Sequence, residues 1–313
     1  MRGLVIKSTG SSYIVLMDDG MSVECHIKGN FRIRGIRSTN PVAVGDYVEV
    51  QRNNVQNPKE EEQSVYWIAD VCKRRNYIIR RSTNLSKESH ILAANIDQVA
   101  LIVTISHPVT STTFIDRFLA TCEAYRVRAL LIFNKIDLLT EEEDEQLEEL
   151  RALYESIGYD TVELSAISLN PSEILPLLAG KTTLLSGNSG VGKSTLLNAL
   201  FGREMTRTGK ISNAHDKGMH TTTFSEMYFL PDGAIIDTPG IKGFGAVDMQ
   251  KEEVSHYFPE IFRISQNCRF SNCTHTNEPG CAVQEAVIKG EIAVSRYESY
   301  LSILGDCDEA KYR

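Results

Sequence analysis

This sequence lacks any apolar run that is long enough to cross a bilayer. The longest such run, residues 99–105, is far shorter than the roughly 20 residues that a spanning helix needs. We expect no export segment, because residues 1–5 lead directly into strand-like sequence. We therefore expect a cytoplasmic protein, and these absences argue against a membrane-embedded function.

The chain also lacks the even set of cysteines that is typical of a disulfide framework. It has seven cysteines, of which four are scattered and three lie close together. The cluster has the form Cys268-x4-Cys273-x-His275-x5-Cys281, a Cys3His set of the kind that binds tetrahedral Zn²⁺. Because the first gap is wider than the common C-x2-C, buried cysteines without a metal remain an alternative on spacing alone.

Length and charge limit the class of protein. At 313 residues and 42% hydrophobic content, the chain is expected to form two or three domains. Its net charge is −8, yet residues 1–81 carry 13 Lys and Arg against 9 Asp and Glu. A basic first segment on an acidic chain favours a nucleic-acid partner, and a merely solvated face is the alternative.

Residues 1–72 show short strand-like runs separated by turns. Five or six such runs predict a small closed β-barrel of the OB-fold or SH3-like type. The segment 29–40 holds Arg32, Arg34 and Arg37, and it is predicted to contact RNA phosphates. A charged hairpin tip without a ligand is the alternative. The predicted strand runs are 4–6, 13–16, 21–27, 42–44, 47–50 and 65–68.

Residues 187–194 fit the P-loop pattern G-x-x-x-x-G-K-[ST]. They follow a buried strand-like run and precede a helical pattern at 195–201, which is the context that a P-loop requires. Its glycines let backbone N–H groups wrap around phosphates, while Lys193 is expected to reach the β- and γ-phosphates and Ser194 to bind Mg²⁺. A nucleoside triphosphate is therefore the expected ligand.

The residues before the P-loop predict a parallel α/β sheet that carries a base-reading motif. After a basic connector at 73–81, strand and helix patterns alternate, and Asn134-Lys135-Ile136-Asp137 stands at the carboxyl end of one strand. A carboxylate only accepts hydrogen bonds, so Asp137 can take both N1–H and the 2-amino group of guanine, which adenine cannot match. The motif favours GTP over ATP. Backbone N–H groups of Ser165 and Ala166 are expected to help hold the base.

Two further segments predict a switch that senses phosphate. Asp237 begins a D-x-x-G motif at the end of a strand and would lie near Mg²⁺, while the N–H of Gly240 would sense the γ-phosphate. One threonine of 221–223 is expected to complete the metal shell in the GTP state. The base-reading motifs precede the phosphate motifs, which is a circular permutation of the usual GTPase order.

The permuted motif order, the N-terminal barrel, the P-loop sequence through Thr195 and Leu196, and the cysteine cluster together resemble the RsgA family. The resemblance covers essentially the whole chain. It implies an OB-fold RNA-binding domain at 1–72, a circularly permuted P-loop GTPase domain at 73–247 and a small α-helical zinc-binding domain at 248–313. Predicted C-terminal helices are 251–264 and 283–303. One departure is Met219, which stands where the family usually has arginine, so no role for an arginine is expected there.

The resemblance also implies a GTPase that assists late maturation of the small (30S) ribosomal subunit and its rRNA. The expected state is a monomer, with GTP or GDP, Mg²⁺ and one Zn²⁺ per chain. Expected catalytic residues are Lys193, His220 and Gly240; Ser194 and Thr222 would bind magnesium, and the Cys3His set zinc. Nucleotide contacts are expected from Asn134, Lys135, Asp137, Ser165, Ala166, Gly187, Asn188, Ser189, Gly190, Val191, Gly192, Lys193, Ser194, Thr195, Thr222 and Asp237.

The sequence lacks the glutamine that many GTPases place directly after D-x-x-G to orient the attacking water. That position is Ile241, whose side chain forms no hydrogen bonds. The nearest candidate is His220, whose neutral imidazole could bind water; a solvated loop histidine is the alternative. Slow intrinsic hydrolysis that the small subunit accelerates is therefore expected.

Two other function classes fit a P-loop. One is a nucleotide-gated rRNA-binding module in which hydrolysis is incidental. The other is a P-loop kinase or phosphotransferase, which is disfavoured because the sequence shows no candidate site for an acceptor substrate.

Overall fold

The computed structural model describes residues 1–9, 12–27, 41–54, 64–81, 89–202, 225–238 and 249–310. They form two compact units. The first contains Met1–Ala100, Ile167–Ser189 and Lys193–Gly245, and the second contains Leu101–Ala166, Gly190–Gly192 and Ala246–Arg313.

Strands and helices are numbered separately along the chain. The strands are β1 (Arg2–Ser8), β2 (Tyr13–Met17), β3 (Ser22–Ile27), β4 (Tyr47–Asn54), β5 (Ser64–Val71), β6 (Tyr77–Arg81), β7 (Ser89–Ala94), β8 (Gln98–Val103), β9 (Arg128–Asn134), β10 (Asp160–Leu164), β11 (Thr182–Gly187), β12 (Ser225–Phe229) and β13 (Ala234–Asp237). The α-helices are α1 (Thr112–Tyr125), α2 (Glu141–Ile157), α3 (Leu175–Leu178), α4 (Lys193–Phe201), α5 (Pro259–Ser265), α6 (Ala282–Ile288) and α7 (Val294–Ala310). Short 3-10 helices cover Ile136–Leu138, Pro171–Glu173 and Lys251–Tyr257.

The first five strands form the closed barrel that the alternating pattern predicts. They are paired in the order β1-β2-β3-β5-β4, and β4 pairs back to β1 with Tyr47 opposite Leu4. Every second residue of β2 points into the barrel, since Tyr13, Val15 and Met17 are buried and the residues between them are less so. The N-terminal barrel is therefore confirmed.

The predicted strand at 42–44 is wrong. Only a single bridge forms there, between Val44 and Ala93. The carboxylate of Asp46 accepts the N–H of Ala43 at 2.8 Å and is fixed by Arg74, whose Nε and Nη2 each donate to it at 2.6 Å. A side chain thus takes the hydrogen bond that a neighbouring strand would need.

The basic connector contains more structure than its sequence predicts. Its second half is β6, which forms an antiparallel hairpin with β7. The first half makes polar contacts, because Arg75 pairs with Asp97 at 2.7 Å and its backbone N–H donates to Asn95.

The first unit also contains the strand that leads into the P-loop. Here β11 and β13 are parallel, and β12, which follows the P-loop, runs antiparallel to β13. The other edge of β12 pairs with β1 of the barrel, where Lys7 lies opposite Glu226 and their side chains form a 3.0 Å ion pair.

In the second unit, β10 and β9 are parallel neighbours. Helix α2 begins with a capping box between Thr140 and Glu143, which satisfies its first free N–H groups. The C-terminal helices enclose an apolar core that includes Phe258, Ile261 and Val283, together with Ala120 of α1.

Both long helices predicted near the C-terminus are interrupted. Pro259 begins α5, and Phe258 before it is extended, because a residue that precedes proline avoids helical angles. The predicted helix 283–303 is two helices, α6 and α7. The break contains Gly290 with a φ of 76°, a left-handed conformation that commonly ends a helix.

Candidate functional site

The P-loop lies between the end of β11 and the start of α4. Gly187, Gly190 and Gly192 have φ angles of 145°, 85° and 103°. Residues that carry a Cβ rarely adopt these backbone angles. Ser194 and Thr195 follow Lys193 in the first turn of α4. The glycines are therefore required by the backbone path, as the motif predicts.

Lys193 turns back over its own loop. Its Nζ donates to the carbonyls of Gly187 at 2.5 Å and Asn188 at 3.0 Å. Burial lowers the pKa of Lys193, and the nearby charge of Asp237 opposes that shift. Asp237 is the last residue of β13 and is 2% exposed. A cationic group thus lies in the loop, close to a buried carboxylate.

Asn134 joins the base-reading motif to the P-loop. Its Nδ2 donates to the carbonyl of Val191 at 2.7 Å, and its Oδ1 accepts the N–H of Ala166 at 2.9 Å. A Cβ added at Gly192 would lie 2.3 Å from this Nδ2, so only glycine allows the approach. One buried amide therefore fixes three segments that the sequence assigned to the same ligand.

The remaining base-reading residues lie beside this bridge. Lys135 has a φ of 68° and precedes the 3-10 helix, and its Nζ donates to the carbonyl of His107. Asp137 is exposed, which leaves its carboxylate accessible to a ligand. Among the described residues, the buried hydroxyl of Ser165 has no hydrogen-bond partner. The Ala166 N–H serves Asn134 here, so its contact with a base stays a prediction.

Several predicted residues lie outside the described residues. They are Arg32, Arg34 and Arg37 of the basic segment, Met219, His220 and Thr222 of the switch segment, and Gly240 and Ile241 beyond Asp237.

The four predicted zinc ligands come together. Their ligand atoms all lie within 4.8 Å of one another. His275 Nδ1 is 3.6 Å from Cys268 Sγ and 3.5 Å from Cys281 Sγ, and these two sulfurs are 4.0 Å apart. Tetrahedral Zn²⁺ with usual bond lengths would require about 3.6 Å for N to S and about 3.8 Å for S to S. The donor set therefore fits zinc.

The loop that carries these ligands is held by hydrogen bonds to its backbone. Glu278 accepts the N–H groups of Thr274 at 2.7 Å and Thr276 at 3.0 Å. From α7, the hydroxyl of Tyr297 donates to His275 O at 2.5 Å, and that of Tyr300 donates to Thr274 O at 2.7 Å. The four ligands are thus oriented by the helical core of the second unit.

The sequence did not point to a buried ionic cluster that joins α1 to the C-terminal helices. Arg296 is 0% exposed, and it pairs with Asp116 and Glu260, which are also buried. The hydroxyl of Tyr154 in α2 donates at 2.9 Å to Asp116 Oδ1, the oxygen that Arg296 also contacts. A weak sequence indication existed, because Asp116 interrupts the apolar face of α1 between Ile115 and Phe118.

No helix in the described part of the chain is both long and apolar enough to cross a membrane.

Comparison with known proteins identifies the family. The RsgA GTPase model matches residues 71–247, and the RsgA N-terminal domain model matches residues 2–58. Small ribosomal subunit biogenesis GTPase RsgA of Phocaeicola vulgatus is 58% identical over 315 residues, which cover 100% of this chain and 99% of the relative. The protein of the same name from Christiangramia forsetii is 51% identical, with 100% and 98% covered.

Solved structures agree with the sequence matches. The crystal structure of YjeQ from Thermotoga maritima has a TM-score of 0.74 and 33% identity, with 98% of both chains covered. The crystal structure of YloQ, a circularly permuted GTPase, has a TM-score of 0.71 and 31% identity, with 100% of this chain and 96% of that one covered. The motifs, the barrel and these full-length matches agree, and this chain belongs to the RsgA GTPase family.

Proposed function

We propose that this protein binds GTP with Mg²⁺, hydrolyses it to GDP and phosphate, and assists late maturation of the small ribosomal subunit. The observation that carries the nucleotide part is the position of Asn134, whose amide holds Val191 of the P-loop and Ala166 next to the base-reading motif. Phosphate and base recognition are thereby tied together. The ribosomal part is supported by the curated relatives, which are named small ribosomal subunit biogenesis GTPases.

On the phosphate side, backbone N–H groups of 187–192 and the first turn of α4 hold the anion, and Lys193 moves from the loop carbonyls to the β- and γ-phosphates. The side-chain oxygens of Ser194 and Thr222 would bind Mg²⁺, and the carboxylate of Asp237 would contribute negative charge near the metal. Magnesium, when bound, neutralises charge that develops on the phosphates. On the base side, Asp137 accepts two hydrogen bonds from guanine.

The switch residues respond to the γ-phosphate. The Gly240 N–H binds it directly, and His220 orients the water that attacks it, since Ile241 lacks a side-chain donor or acceptor. Release of phosphate frees both segments. Because the permuted order places D-x-x-G directly before the C-terminal segment, this motion is passed to the residues that follow.

The barrel at 1–72 and the zinc-binding module at 248–313, which precede and follow the GTPase domain at 73–247 in the sequence, contact the small subunit and its rRNA. One structural Zn²⁺ is held by Cys268, Cys273, His275 and Cys281, with no open position for a substrate. The protein acts as a cytoplasmic monomer.

A GTPase assay with and without purified small subunits tests the proposal. We expect hydrolysis of GTP but not ATP, and a kcat that rises when subunits are added. Lys193→Ala should lower phosphate affinity and hydrolysis together. The alternative, a nucleotide-gated rRNA-binding module with incidental hydrolysis, predicts GTP-dependent subunit binding with an unchanged rate. Selectivity for ATP would contradict both.

A further inference from the structure

The turn at residues 106–110 follows β8 and is closed by two buried threonines. Thr104 Oγ1 donates to the carbonyl of Pro108 at 2.5 Å, and Thr104 N donates to Thr110 Oγ1 at 3.1 Å. The N–H of Thr110 donates back to Thr104 O at 2.9 Å. Thr104 is 1% and Thr110 7% exposed. These bonds hold the turn in one conformation, although no sequence motif marks it.

The turn contacts the nucleotide site on two sides. A Cβ added at Gly190 would meet Pro108 Cδ at 3.5 Å, so the turn packs against the P-loop. On the base side, the carbonyl of His107 accepts the hydrogen bond from Lys135 Nζ. The turn thus lies between the phosphate-binding and base-reading motifs.

The backbone at this contact is unusual. His107 and Lys135 have φ angles of 55° and 68°, and this left-handed region is costly for residues other than glycine. The His107 ring is itself fixed, with Nδ1 3.0 Å from Ser106 Oγ. Two such residues joined by a hydrogen bond at a candidate ligand site indicate a functional constraint on the turn.

The hydrogen bond limits the freedom of a long cationic side chain. A lysine side chain carries several rotatable bonds, and ordering it on binding costs affinity. With its ammonium on the His107 carbonyl, Lys135 is ordered before the ligand arrives. Lys135 is half-buried, and it belongs to the same motif as Asn134 and Asp137.

We propose that the 106–110 turn is a positioning element of the guanine-nucleotide site, which preorganises Lys135 through the His107 carbonyl. Thr104 positions the turn, because its hydroxyl binds the carbonyl of Pro108. This carbonyl is adjacent to that of His107, which accepts the hydrogen bond from Lys135. This inference rests on the proposed function, since it assigns a role within the same nucleotide site.

The test is a titration of full-length protein with a fluorescent GDP analogue in the presence of Mg²⁺. Thr104→Val should raise Kd about fivefold to tenfold, the effect of ordering one long side chain on binding. Thr104→Ser should restore the parent value. Thr121→Val is the matched control, because the Thr121 hydroxyl is also buried and donates to a backbone carbonyl, that of Arg117, at 2.8 Å. Its Kd should stay within about twofold of the parent, by the same scale.

A double-mutant cycle separates positioning from general loss of structure. If Thr104 acts through Lys135, Thr104→Val combined with Lys135→Ala should bind no more weakly than Lys135→Ala alone. Additive losses, or an unchanged Kd in Thr104→Val, would overturn the inference. If Thr104→Val does not fold, Thr110→Val must show the same pattern. A parent protein that binds no guanine nucleotide would instead contradict the proposed function.

Discussion

The guanidinium of Arg296 donates to the carboxylate of Asp116 at 2.8 Å, across 180 residues of sequence. Arg296 also donates to both oxygens of Glu260, at 2.7 and 3.1 Å, and lies 4.6 Å from the ring centre of Phe258. The pair connects α7 to α1, and both of its side chains are buried. Removing one partner from a buried pair leaves an uncompensated charge in the interior. Substitution of Arg296 therefore tests how much this pair contributes to the packing of the C-terminal helices on α1.

Arg296→Met should therefore destabilise the protein by about 3 to 5 kcal/mol, because two buried carboxylates lose their counter-charge. Thermal or urea unfolding of the full chain measures this. Arg117→Met is the matched control on the same helix pair. Arg117 contacts Asp306 at 2.5 Å, but that pair is exposed, and its loss should cost at most about 1 kcal/mol. If the two variants lower the free energy of unfolding equally, the buried pair contributes no more to stability than the exposed pair does.

Asp137→Asn should change the preferred base from guanine to xanthine, because an amide offers a donor to the 2-oxo group of xanthine. Binding of GTP and XTP to parent and variant gives the ratio directly. Asp144→Asn, an exposed acid in α2, controls for the loss of one negative charge. An unchanged ratio in Asp137→Asn would mean that another residue reads the base.

His220→Ala should abolish most of the subunit-stimulated rate while GTP binding and subunit docking persist. The loss of a water-orienting group typically lowers kcat by about 100-fold or more. Single-turnover hydrolysis with saturating subunits measures it, and His215→Ala serves as a control from the same segment. A fully stimulated variant would assign the water to a ribosomal group supplied in trans.

Neutralising Arg32, Arg34 and Arg37 together should weaken binding to small subunits and reduce its salt dependence. The slope of log K against log salt should fall by about one unit for each lost phosphate contact. Binding measured at several salt concentrations tests this. If parent and variant have equal slopes, the segment is only a solvated hairpin tip. The control is neutralisation of Arg126, Arg128 and Arg151 in the second unit.

Metal analysis should find about one zinc per chain, and Cys273→Ala or His275→Ala should lose it. The same variants should unfold their C-terminal module more readily, because metal binding contributes to folding. Cys72→Ala lies outside the cluster and should keep the metal. A metal-free chain with unchanged unfolding would contradict the zinc site.

The sequence predicted those parts of the site that depend on local backbone requirements. The positive φ angles of Gly190 and Gly192 admit few residues other than glycine. This backbone requirement appears in the sequence as the glycines of the P-loop pattern. The four predicted zinc ligands lie within a short segment, so their spacing already limits the geometry. Asn134 was assigned to the site, but its bridge between Val191 and Ala166 becomes visible only in three dimensions.

Features that depend on distant contacts were missed. The Arg296 and Asp116 pair joins residues with no local pattern in common, and a charged residue in a helix is usually read as solvated. The helix breaks at Pro259 and Gly290 occur at residue types that commonly interrupt helices. The prediction missed them because the apolar periodicity continues on both sides of each break. Residues 42–44 have strand-like side chains, yet Asp46 takes one of their hydrogen bonds.

The pairing of β1 with β12 has a consequence for how the chain can be divided. Both edges of β12 are hydrogen-bonded, one to β13 and the other to Lys7 and Ser8 of the barrel. A fragment that starts at residue 73 would leave one edge of β12 open, and an open edge is a template for aggregation. The barrel therefore covers the edge of β12 that would otherwise be exposed. Removing the barrel should make the remaining fragment less soluble, even if that fragment still binds nucleotide.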